Sequence, residues 1–542
     1  MTDWRQIEQL QRLLNGEIGA IRKDWGGKIP VALLYPNSYH VGMSALGLQM
    51  LYRTLNAEAD FVAERVFLPE KPGQDILSVE SQRPLGEFPI IACSMAYELD
   101  YVNFSAILRQ AGVPLLSEQR GESDPIVLMG GPAVTANPMP LAPFVDAFCI
   151  GEAEPILAEL LNALRTRMAA SRDETLDALS RVPGMYAPAL PRLPVARQWL
   201  RDLDAFPTHS TVLTRHTEFG DMYLIEIARG CGRGCRFCLA GYVYRPMRER
   251  SLDAILEQAR EGLAHRKKIG LVSAAVSDYS RRDELVARLR EMGARISVSS
   301  LRADTISPTL LRALAESGTR TLTLAPEAGS DRLRRGINKN ISEEQILQAA
   351  ALARDVHFPE LKLYFMLGLP GETDEDVESL CDLSQKAAAR FGGKVTVNLS
   401  SFVPKAHTPF ERAPMAAAEV LESRLAAVRA RLKPAGIAVK ADSVTWARVQ
   451  GVLARGGAEL AGVLADMPAV SLRAWRDALA ARGLSEETYL EAQPSSRRLP
   501  WEGVVSAGIK APYLRRELRA AEQGRTTPPC PPSDCARCGV CP

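Results

Sequence analysis

Cysteine is the residue type whose spacing in this sequence most directly indicates chemistry. Of the ten cysteines, seven lie in two tight groups: Cys231, Cys235 and Cys238, then Cys530, Cys535, Cys538 and Cys541. Thiols stay reduced in the cytosol, so such groups indicate metal ligation rather than disulfides. The other three, Cys93, Cys149 and Cys381, stand alone in apolar stretches, and we interpret them as buried small hydrophobic residues.

The first group has the spacing C-x3-C-x2-C on a glycine-rich loop that follows an apolar segment. Three thiolates can hold three irons of a [4Fe–4S] cube and leave the fourth iron open to an external ligand. Gly232 and Gly234 allow the backbone to wrap closely around such a cluster, and Arg233 and Arg236 are expected to offset its charge. The alternative is a zinc site completed by a distant ligand, although zinc sites usually use paired Cys-x2-Cys units or histidine partners.

The elements that position this loop form a repeating pattern of short apolar strands and helices. The sequence predicts strands at 223–227, 270–272, 295–298, 321–324, 361–365 and 394–398. Helices are predicted between them, for example at 251–265, 281–292, 307–317 and 342–355. Six βα repeats are too few for a closed eightfold barrel and fit a partial (β/α)6 barrel, whose chemistry gathers at the carboxyl ends of the strands.

The cysteine loop, with an aromatic residue before its last cysteine and a predicted barrel strand before it, resembles the radical S-adenosylmethionine (SAM) superfamily. The resemblance implies that the open iron chelates the amino and carboxylate groups of SAM, and that an electron from the cluster cleaves SAM to methionine and a 5′-deoxyadenosyl radical. It also implies contacts to SAM from residues at the ends of successive strands, with Phe237 near the adenine: Phe237, Ser277, Asp278, Ser299, Arg302, Glu327 and Gly368. The catalytic residues are not assigned.

Each of these positions has a second interpretation as turn or capping chemistry. The segment 325–330 resembles the Glu-x-Gly-Ser turn of the family, and 368–373 resembles its Gly-x-Pro-Gly-Glu-Thr loop. For 368–373 we weigh a role as a turn and a role in contacting the cofactor evenly, because one loop can have both roles.

The N-terminal part of the chain predicts a doubly wound parallel sheet, with strands at 31–36, 89–93 and 126–129. Ligands of such sheets bind beyond the carboxyl ends of the strands. The position of this region before the barrel resembles cobalamin-binding radical SAM enzymes, and the residues on its edge loops are Asn37, Ser38, Tyr39, Gly130 and Gly131. The two glycines would let the backbone approach a flat macrocycle. His40 lacks the Asp-x-His-x-x-Gly pattern of cobalt ligation, so we expect it to be a polar loop residue.

The second cysteine group closes the chain. Cys535-x2-Cys538-x2-Cys541 followed by proline resembles ferredoxin-type [4Fe–4S] ligation, and Cys530 can complete the four ligands. Four thiolates also suit a structural zinc site. Such a tail site is also compatible with mobility, and loss of the tail is expected to leave the barrel cluster in place, because the barrel ligands lie on a different element.

Length and composition set the remaining limits. The chain has 542 residues, 46% of them hydrophobic and 24% charged, and we divide it into 1–184 (cobalamin-binding-like), 185–217 (linker), 218–411 (barrel) and 412–542 (mostly helical region with a Cys-rich tail). No signal-like start or membrane-length apolar run is present in the sequence, so we expect a cytoplasmic protein with no membrane partner. The net charge of +2 does not indicate a nucleic-acid-binding protein. RNA contact through the dispersed arginines is a minority hypothesis.

Together these features predict an enzyme that cleaves SAM reductively, for cobalamin-assisted methylation or a related radical modification of an unknown substrate. One alternative is a sulfur-inserting or redox radical SAM enzyme, acting on RNA in one version, that uses the C-terminal cluster. Another is a cobalamin or iron–sulfur sensor that does not turn over. The expected cofactors are one [4Fe–4S] cluster and SAM, with cobalamin and a second cluster or zinc as further candidates. Flavodoxin or ferredoxin is the expected type of electron donor.

Overall fold

The structure of the protein, a computed structural model, describes residues 4–531 and 535–541. Its contacts group the chain into two compact units. Unit 1 consists of Met1–Asp221, Leu453–Ser485 and Arg498–Gly508. Unit 2 consists of Met222–Val452, Glu486–Arg497 and Ile509–Pro542. Each unit is therefore assembled from three separate stretches of chain.

Unit 1 is built on a six-stranded sheet in the order β2-β1-β3-β4-β5-β6. The strands are β1 (Ile29–Tyr35), β2 (Phe61–Phe67), β3 (Ile90–Ser94), β4 (Ile126–Gly130), β5 (Ala147–Cys149) and β6 (Met185–Tyr186). The first five are parallel and β6 is antiparallel to β5. This confirms the predicted parallel sheet and adds β2 and β5 to it. In this order the chain reverses direction across the sheet between β1 and β3, which is where such sheets bind ligands.

The helices of unit 1 cover the sheet, whose strands are buried along nearly their full length. They are α1 (Trp4–Asn15), α2 (Tyr39–Gly42), α3 (Leu46–Ala57), α4 (Asp100–Gln110), α5 (Pro132–Ala136), α6 (Leu157–Arg165) and α7 (Arg172–Arg181). Residues 185–217, predicted as a linker, supply β6 and the short strand β7 (Val195–Ala196) and place Val212 in the apolar core of this unit.

Unit 2 contains the barrel, in which all neighbouring strands are parallel. Two sheets, β12-β11-β8 and β13-β14-β15-β16, are joined by a single bridge between Leu301 and Leu324. The strands of unit 2 are β8 (Met222–Glu226), β9 (Ala228–Arg229), β10 (Arg248–Glu249), β11 (Lys268–Val272), β12 (Arg295–Ser297), β13 (Thr321–Glu327), β14 (Glu360–Leu367), β15 (Lys394–Ser401) and β16 (Ala438–Ala441). The six predicted barrel strands are confirmed, and β16 is a seventh.

Helices follow the barrel strands in the predicted alternation. They are α8 (Ala240–Val243), α9 (Leu252–Leu263), α10 (Arg282–Glu291), α11 (Pro308–Glu316), α12 (Asp331–Gly336), α13 (Glu343–Asp355), α14 (Asp374–Phe391) and α15 (Ala418–Leu432). Several begin at capping residues, as α13 does at Ser342, whose hydroxyl accepts the N–H of Gln345 while the Gln345 side chain returns to the Ser342 backbone.

The C-terminal part of the chain contributes to both units. It contains α16 (Val444–Arg455), α17 (Glu459–Asp466), α18 (Leu472–Ala481), α19 (Glu487–Leu490), β17 (Val505–Ser506) and α20 (Ala511–Glu522). In unit 1, β17 pairs with β7 and α17 packs on α4; in unit 2, α20 packs on α12. Among the helices of the described residues, none combines the length and the apolar character that crossing a membrane requires.

Candidate active site

The first cysteine group lies on a tight loop at the carboxyl end of β8 and β9, as predicted. Cys235 is buried, and Cys231 and Cys238 are partly exposed. Gly230 opens the loop with a φ of +82°, and a Cβ there would lie 2.3 Å from the carbonyl oxygen of Tyr244. Only glycine meets both conditions, so the backbone of the loop is held close to the segment that follows it.

Burial sets the electrostatics of these thiols. It raises the pKa of Cys231, and it raises the pKa of Cys238 to about 12, to which the neighbouring thiols also contribute. The positive charges of Arg302 and Lys339 act in the opposite direction, Arg302 on Cys231 and Lys339 on Cys238. Bound metal deprotonates coordinating thiols, so the two cations are placed to stabilise the thiolates of a metal complex.

An ion-pair network ties the loop to the ends of the next strands. Arg233 pairs with Asp278 at 2.6 Å and with Asp304 at 3.4 Å. Arg302 also pairs with Asp304, at 3.1 Å. Side chains from the loop, from the segment after β11 and from the segment after β12 therefore meet at one place, as the topology of a parallel barrel requires.

The network continues to the end of β13. Arg302 donates to the backbone oxygen of Lys339 at 2.9 Å, and Lys339 Nζ lies 3.0 Å from Glu327. Glu327 has a φ of +70°, a conformation that is uncommon for a residue other than glycine. Such backbone strain concentrates at functional sites.

The structure thus brings three predicted SAM contacts, Asp278, Arg302 and Glu327, into one network beside the cysteines. Asp278 is engaged by Arg233, and the Ser277 hydroxyl accepts from Thr305 at 2.7 Å, so both already have protein partners. Ser299 is exposed just after β12. The SAM contacts themselves stay predictions.

Two further predicted residues take structural roles. Phe237 packs against an apolar cluster that includes Leu333, Ile337 and Phe402. The N–H of Gly368 donates to the carboxylate of Glu372 at 2.6 Å, and Glu372 pairs with Arg424 at 2.7 Å. The turn interpretation of 368–373 is therefore supported directly, while its SAM contact stays a prediction.

Lys339 and its neighbour Asn338 are site residues that sequence reasoning missed. Both are buried, and the Asn338 side chain donates to the backbone oxygen of Gly234 in the cysteine loop at 3.1 Å. The run Asn338-Lys339-Asn340 between two helices is a recognisable turn signal, because Asn tolerates the left-handed conformation that Asn338 and Asn340 adopt. That signal says nothing of a cofactor.

The first of the C-terminal cysteines, Cys530, lies against the same loop. The backbone N–H of Cys530 donates to the backbone oxygen of Gly232 at 2.8 Å. The N–H of Thr527 donates to the side-chain oxygen of Asn338 at 2.8 Å, so Asn338 connects the tail to Gly234. These hydrogen bonds hold residues 527–530 to the loop between Cys231 and Cys235.

Arg236 has a different role from the predicted one. Its guanidinium is buried and pairs with Glu517 of α20 at 3.1 Å, and it also donates to the backbone oxygens of Gly336 and Arg525. Glu517 in turn accepts from the Thr527 hydroxyl at 2.8 Å. Arg236 therefore joins the cysteine loop to α20 and the tail, and its charge is matched by Glu517 rather than by a cluster.

The four tail thiols share one neighbourhood. Burial raises the pKa of Cys530, Arg245 lowers it, and charges on Cys538, Cys535 and Cys541 raise it further. Cys538 is buried with Tyr242, Tyr513 and Leu514, and its backbone oxygen accepts from Lys510 at 2.8 Å. Residues 532–534, between the first two of these cysteines, lie outside the described residues.

The metal-ligating side chains at both places are thiols, which are the usual protein ligands of iron–sulfur clusters. In the described residues, no three His, Cys, Asp or Glu side chains are arranged to hold a single metal ion. A [4Fe–4S] cube binds each thiolate on a different iron, and thiolates are its usual protein ligands. Three thiols on one loop with two buried cations nearby supply that chemistry.

Comparison with known proteins decides the family. A family model described as "Radical SAM superfamily" matches residues 225–384, and one described as "Radical SAM proteins, N-terminal" matches 47–188. An uncharacterized protein of Methanocaldococcus jannaschii is 34% identical over 441 residues, which cover 80% of this chain and 90% of that protein. The chain belongs to the radical SAM superfamily. It is therefore a radical SAM enzyme, and the family confirms the predicted [4Fe–4S] cluster and SAM as cofactors.

Other relatives of this radical SAM protein match shorter stretches. A tRNA-2-methylthio-N(6)-dimethylallyladenosine synthase of Acetivibrio thermocellus is 27% identical over 30% of this chain and 36% of its own. Among solved structures, the cobalamin-dependent SAM radical enzyme OxsB with aqua-cobalamin bound aligns with a TM-score of 0.50 and 15% identity, over 66% of this chain and 52% of that one. At this identity the match shows a shared fold.

In unit 1 of this radical SAM enzyme, the predicted cobalamin residues lie at the carboxyl edge of the sheet. The Asn37 side chain donates to the carboxylate of Asp100 at 2.8 Å, and Ser38 caps α2. Burial raises the pKa of Asp100 to about 6, while the hydrogen bond from Asn37 lowers it. A cavity of about 310 Å³, lined in part by Ser38, Tyr39 and Phe67, opens beside this edge.

The two glycines of this edge differ. Gly131 has a φ of +113°, and a Cβ there would lie 2.4 Å from the backbone oxygen of Met95. A Cβ on Gly130 would lie 3.5 Å from the Cβ of Cys149, an ordinary contact. Gly131 is thus required by the packing of the protein itself. His40 is exposed and lies 3.3 Å from Glu218, consistent with a polar loop residue.

Proposed function

We propose that this radical SAM enzyme carries out cobalamin-assisted methylation, with the [4Fe–4S] cluster and SAM in unit 2 and cobalamin at the carboxyl edge of the sheet in unit 1. One observation carries this proposal: the parallel sheet of unit 1 reverses its strand order between β1 and β3. Ligands of open α/β sheets bind at such a point. The fold shared with OxsB, whose structure contains aqua-cobalamin, extends over 66% of the chain and supports the same assignment.

In unit 2 we assign Cys231, Cys235 and Cys238 as the three cluster ligands. When bound, the cluster supplies the electron that cleaves SAM to methionine and a 5′-deoxyadenosyl radical. Arg302 and Lys339 stabilise the negative charge of the thiolates, and Arg233 holds the loop to the next two strands. Ser299, Glu327 and the Gly368 turn, which lie at the ends of β12, β13 and β14, are assigned to SAM, with Phe237 against the adenine.

We assign Asp278 and Ser277 to positioning, because each holds a side chain of a neighbouring loop. Asp278 fixes Arg233, and Ser277 fixes Thr305 in the segment after β12. In this arrangement both residues affect SAM through the shape of the loops rather than by contact with it.

In unit 1 the edge offers neutral amide and hydroxyl groups and exposed apolar surface. Asn37 and Ser38 follow β1, Gly130 ends β4, and the side chains of Val41 and Tyr97 are 41% and 43% exposed. Exposed apolar side chains near polar groups are typical of a binding surface. A macrocycle would bind here by shape and hydrogen bonds, and we assign no protein ligand to cobalt because His40 faces Glu218.

The experiment is anaerobic reconstitution with iron, sulfide and cobalamin, followed by SAM and reductant. We expect about one cobalamin retained per chain, and 5′-deoxyadenosine formed from SAM. Tyr97→Ser should lower cobalamin retention, whereas the matched control Val470→Ser, which removes another exposed apolar side chain of unit 1, should leave it unchanged. Failure of the natural chain to retain cobalamin, with 5′-deoxyadenosine still formed, would contradict the cobalamin part alone.

A second candidate is sulfur insertion with the tail cysteines as the site of a second cluster. It is favoured by the contact of Cys530 with Gly232 and by relatives named as methylthio-transferring enzymes over about 30% of the chain. The same incubation, run with and without cobalamin, separates the candidates. S-adenosylhomocysteine that forms only with added cobalamin supports methylation, whereas S-adenosylhomocysteine that forms without cobalamin supports transfer of a methylthio group.

A further inference from the structure

A groove rich in arginine lies at the end of α20 in unit 2. It encloses about 620 Å³, and its walls include Arg516, Arg519, Arg525 and Arg537 together with Thr527 and Pro528. All four arginines are exposed. The groove follows the last helix directly into the segment that carries Cys530.

The described residues around these arginines do not neutralise them. Within residues 4–531 and 535–541, none of the four forms an ion pair: Arg516 lies over the ring of Tyr513, Arg525 contacts Gln523, and Arg537 donates to a backbone oxygen. Among the described residues of the groove wall, the acid is Glu517, which is buried and pairs with Arg236. The four arginine charges therefore have no ion-pair partner among the described residues, and such a positive concave surface attracts and orients negatively charged partners.

The position of the groove relates it to the tail cysteines. Pro528 in its wall is two residues before Cys530, and Arg537 lies between Cys535 and Cys538. Cys530 in turn donates its N–H to Gly232, between the proposed cluster ligands Cys231 and Cys235, at 2.8 Å. The tail segment therefore connects the groove to the cysteine loop.

We propose that Cys530, Cys535, Cys538 and Cys541 hold a second [4Fe–4S] cluster and that the arginine groove docks an acidic one-electron donor protein, so that the tail is the entry for the electron that drives SAM cleavage. The donor is oxidised by one electron, which passes through the tail site to the cluster of the cysteine loop and reduces it by one. The proposal rests on the radical SAM assignment, and it is independent of cobalamin.

One feature favours a redox protein over RNA. Single-stranded nucleic acid is usually held by aromatic side chains on which bases stack, and none of the described residues that line this groove is aromatic. Zinc at the tail site is not compatible with the proposal, because zinc has no redox chemistry.

The docking test uses the reconstituted full chain with two reductants. Reduced flavodoxin must dock, whereas dithionite is a small molecule that need not. We expect Arg519→Gln/Arg525→Gln to slow flavodoxin-driven formation of 5′-deoxyadenosine about tenfold and to leave the dithionite-driven rate unchanged. The matched control Arg429→Gln/Arg476→Gln removes two exposed arginines elsewhere and should affect neither rate.

The rate with flavodoxin should also fall as salt is raised, since the attraction between exposed charges is screened. Equal slowing with both reductants would overturn the docking proposal in favour of a structural role. So would no slowing with either reductant. Binding of a labelled RNA that is weakened by the double substitution, with flavodoxin-driven reduction unaffected, would assign the groove to RNA instead. Loss of dithionite-driven cleavage in the natural chain would instead contradict the radical SAM assignment of the loop.

The metal test uses Cys535→Ala/Cys541→Ala, which spares Cys530 and Cys538 with their packing contacts. We expect iron to fall by about four per chain, the content of one cube, and the electron paramagnetic resonance signal of one of two clusters to disappear. Dithionite-driven cleavage should persist and flavodoxin-driven cleavage should be lost. Unchanged iron with loss of one zinc per chain would overturn the proposal.

Discussion

The two units present the same kind of edge, formed by the carboxyl ends of parallel strands, but the side chains at the two edges differ in charge. At the barrel edge of unit 2, three thiols lie among charged side chains that form a continuous ion-pair network through Arg233, Arg302 and Lys339. At the sheet edge of unit 1, the predicted residues are amides, hydroxyls and glycines, and Asn37 is already bonded to Asp100.

This difference shows what each edge is built to hold. A buried anionic group needs fixed positive charge nearby, and the barrel edge supplies it. The sheet edge has exposed apolar side chains. The ion pairs of Arg65 with Glu17 and Glu80 reach this edge through the Tyr39 hydroxyl, which donates to Glu17, and their charges are matched within the protein. Such an edge suits a large ligand held by shape. The predictions below test this contrast, from the largest effect to the smallest.

The first prediction breaks the barrel edge. Cys231→Ala/Cys235→Ala/Cys238→Ala should abolish detectable 5′-deoxyadenosine and remove about four irons per chain, because a [4Fe–4S] cube needs these thiolates. The measurement is iron content together with product analysis after anaerobic reconstitution. Cys381→Ala, which removes a lone buried thiol of α14, should keep full iron; residual cleavage in the triple variant would refute the assignment.

The second prediction separates the two glycines of the sheet edge. Gly131→Ala should destabilise the protein by about 3 kcal/mol or more, because it forces a side chain into a positive-φ position and against Met95. Gly130→Ala should cost less than about 1 kcal/mol. Urea unfolding measures both, and similar values for the two variants would show that Gly131 is not demanded by packing.

The third prediction concerns the charge of the barrel edge. Lys339→Met/Glu327→Gln removes the buried pair without leaving either charge alone, and takes a positive charge away from the thiolates. Because Glu327 is also assigned to SAM, the measurement is the reduction potential of the cluster without SAM, which should become more negative by about 59 mV, a tenfold change in the equilibrium constant for one electron. Lys386→Met/Glu343→Gln, at an exposed pair, is the control; equal potentials in both variants would argue against an electrostatic role.

The fourth prediction uses pH at the sheet edge. Burial raises the pKa of Asp100 to about 6, above the ordinary value of about 3.9, so the folded state favours the protonated form. Asp100 therefore lowers stability progressively as pH rises from about 4 to about 6. Asp100→Asn should remove this loss. The free energy of unfolding of the variant relative to the natural chain should therefore be about 1 kcal/mol higher at pH 8 than at pH 5. A gain independent of pH would show that Asp100 does not titrate in this range.

The smallest effect is expected at His40. His40→Ala removes an exposed side chain 3.3 Å from an exposed glutamate, a contact worth less than about 1 kcal/mol. Cobalamin retention, measured by absorbance after gel filtration, should be unchanged. A large loss of cobalamin retention would contradict this prediction and indicate that His40 ligates cobalt.

The parts of the fold that sequence predicted are those with local apolar patterns. β1 is an apolar run, and β14 alternates buried with less buried positions. β2 is interrupted by the buried residues Glu64 and Arg65. Glu64 accepts from Trp25 and Ser81, and Arg65 pairs with Glu17 and Glu80, so long-range partners compensate their burial. β16 has no buried residue by which a pattern would reveal it.

The candidate site divides in the same way. The spacing of the three loop cysteines is local and was visible in the sequence, whereas Lys339 and Asn338 reach the loop from a turn about a hundred residues later. The contact of Cys530 with Gly232 joins two backbone groups. Backbone hydrogen bonds carry no residue-type signature, so no composition or spacing rule announces that contact.

The interleaving of the two units has a consequence for synthesis on the ribosome. When residue 221 emerges, unit 1 has the six strands of its main sheet, but the Asn137 side chain still lacks the backbone oxygens of residues 454 and 456 that it will bond, and β7 lacks its partner β17. Those segments are translated only after the whole barrel. The nascent N-terminal part of unit 1 therefore stays incompletely buried while the barrel is translated. A stop codon anywhere before residue 508 would leave both units incomplete rather than one intact.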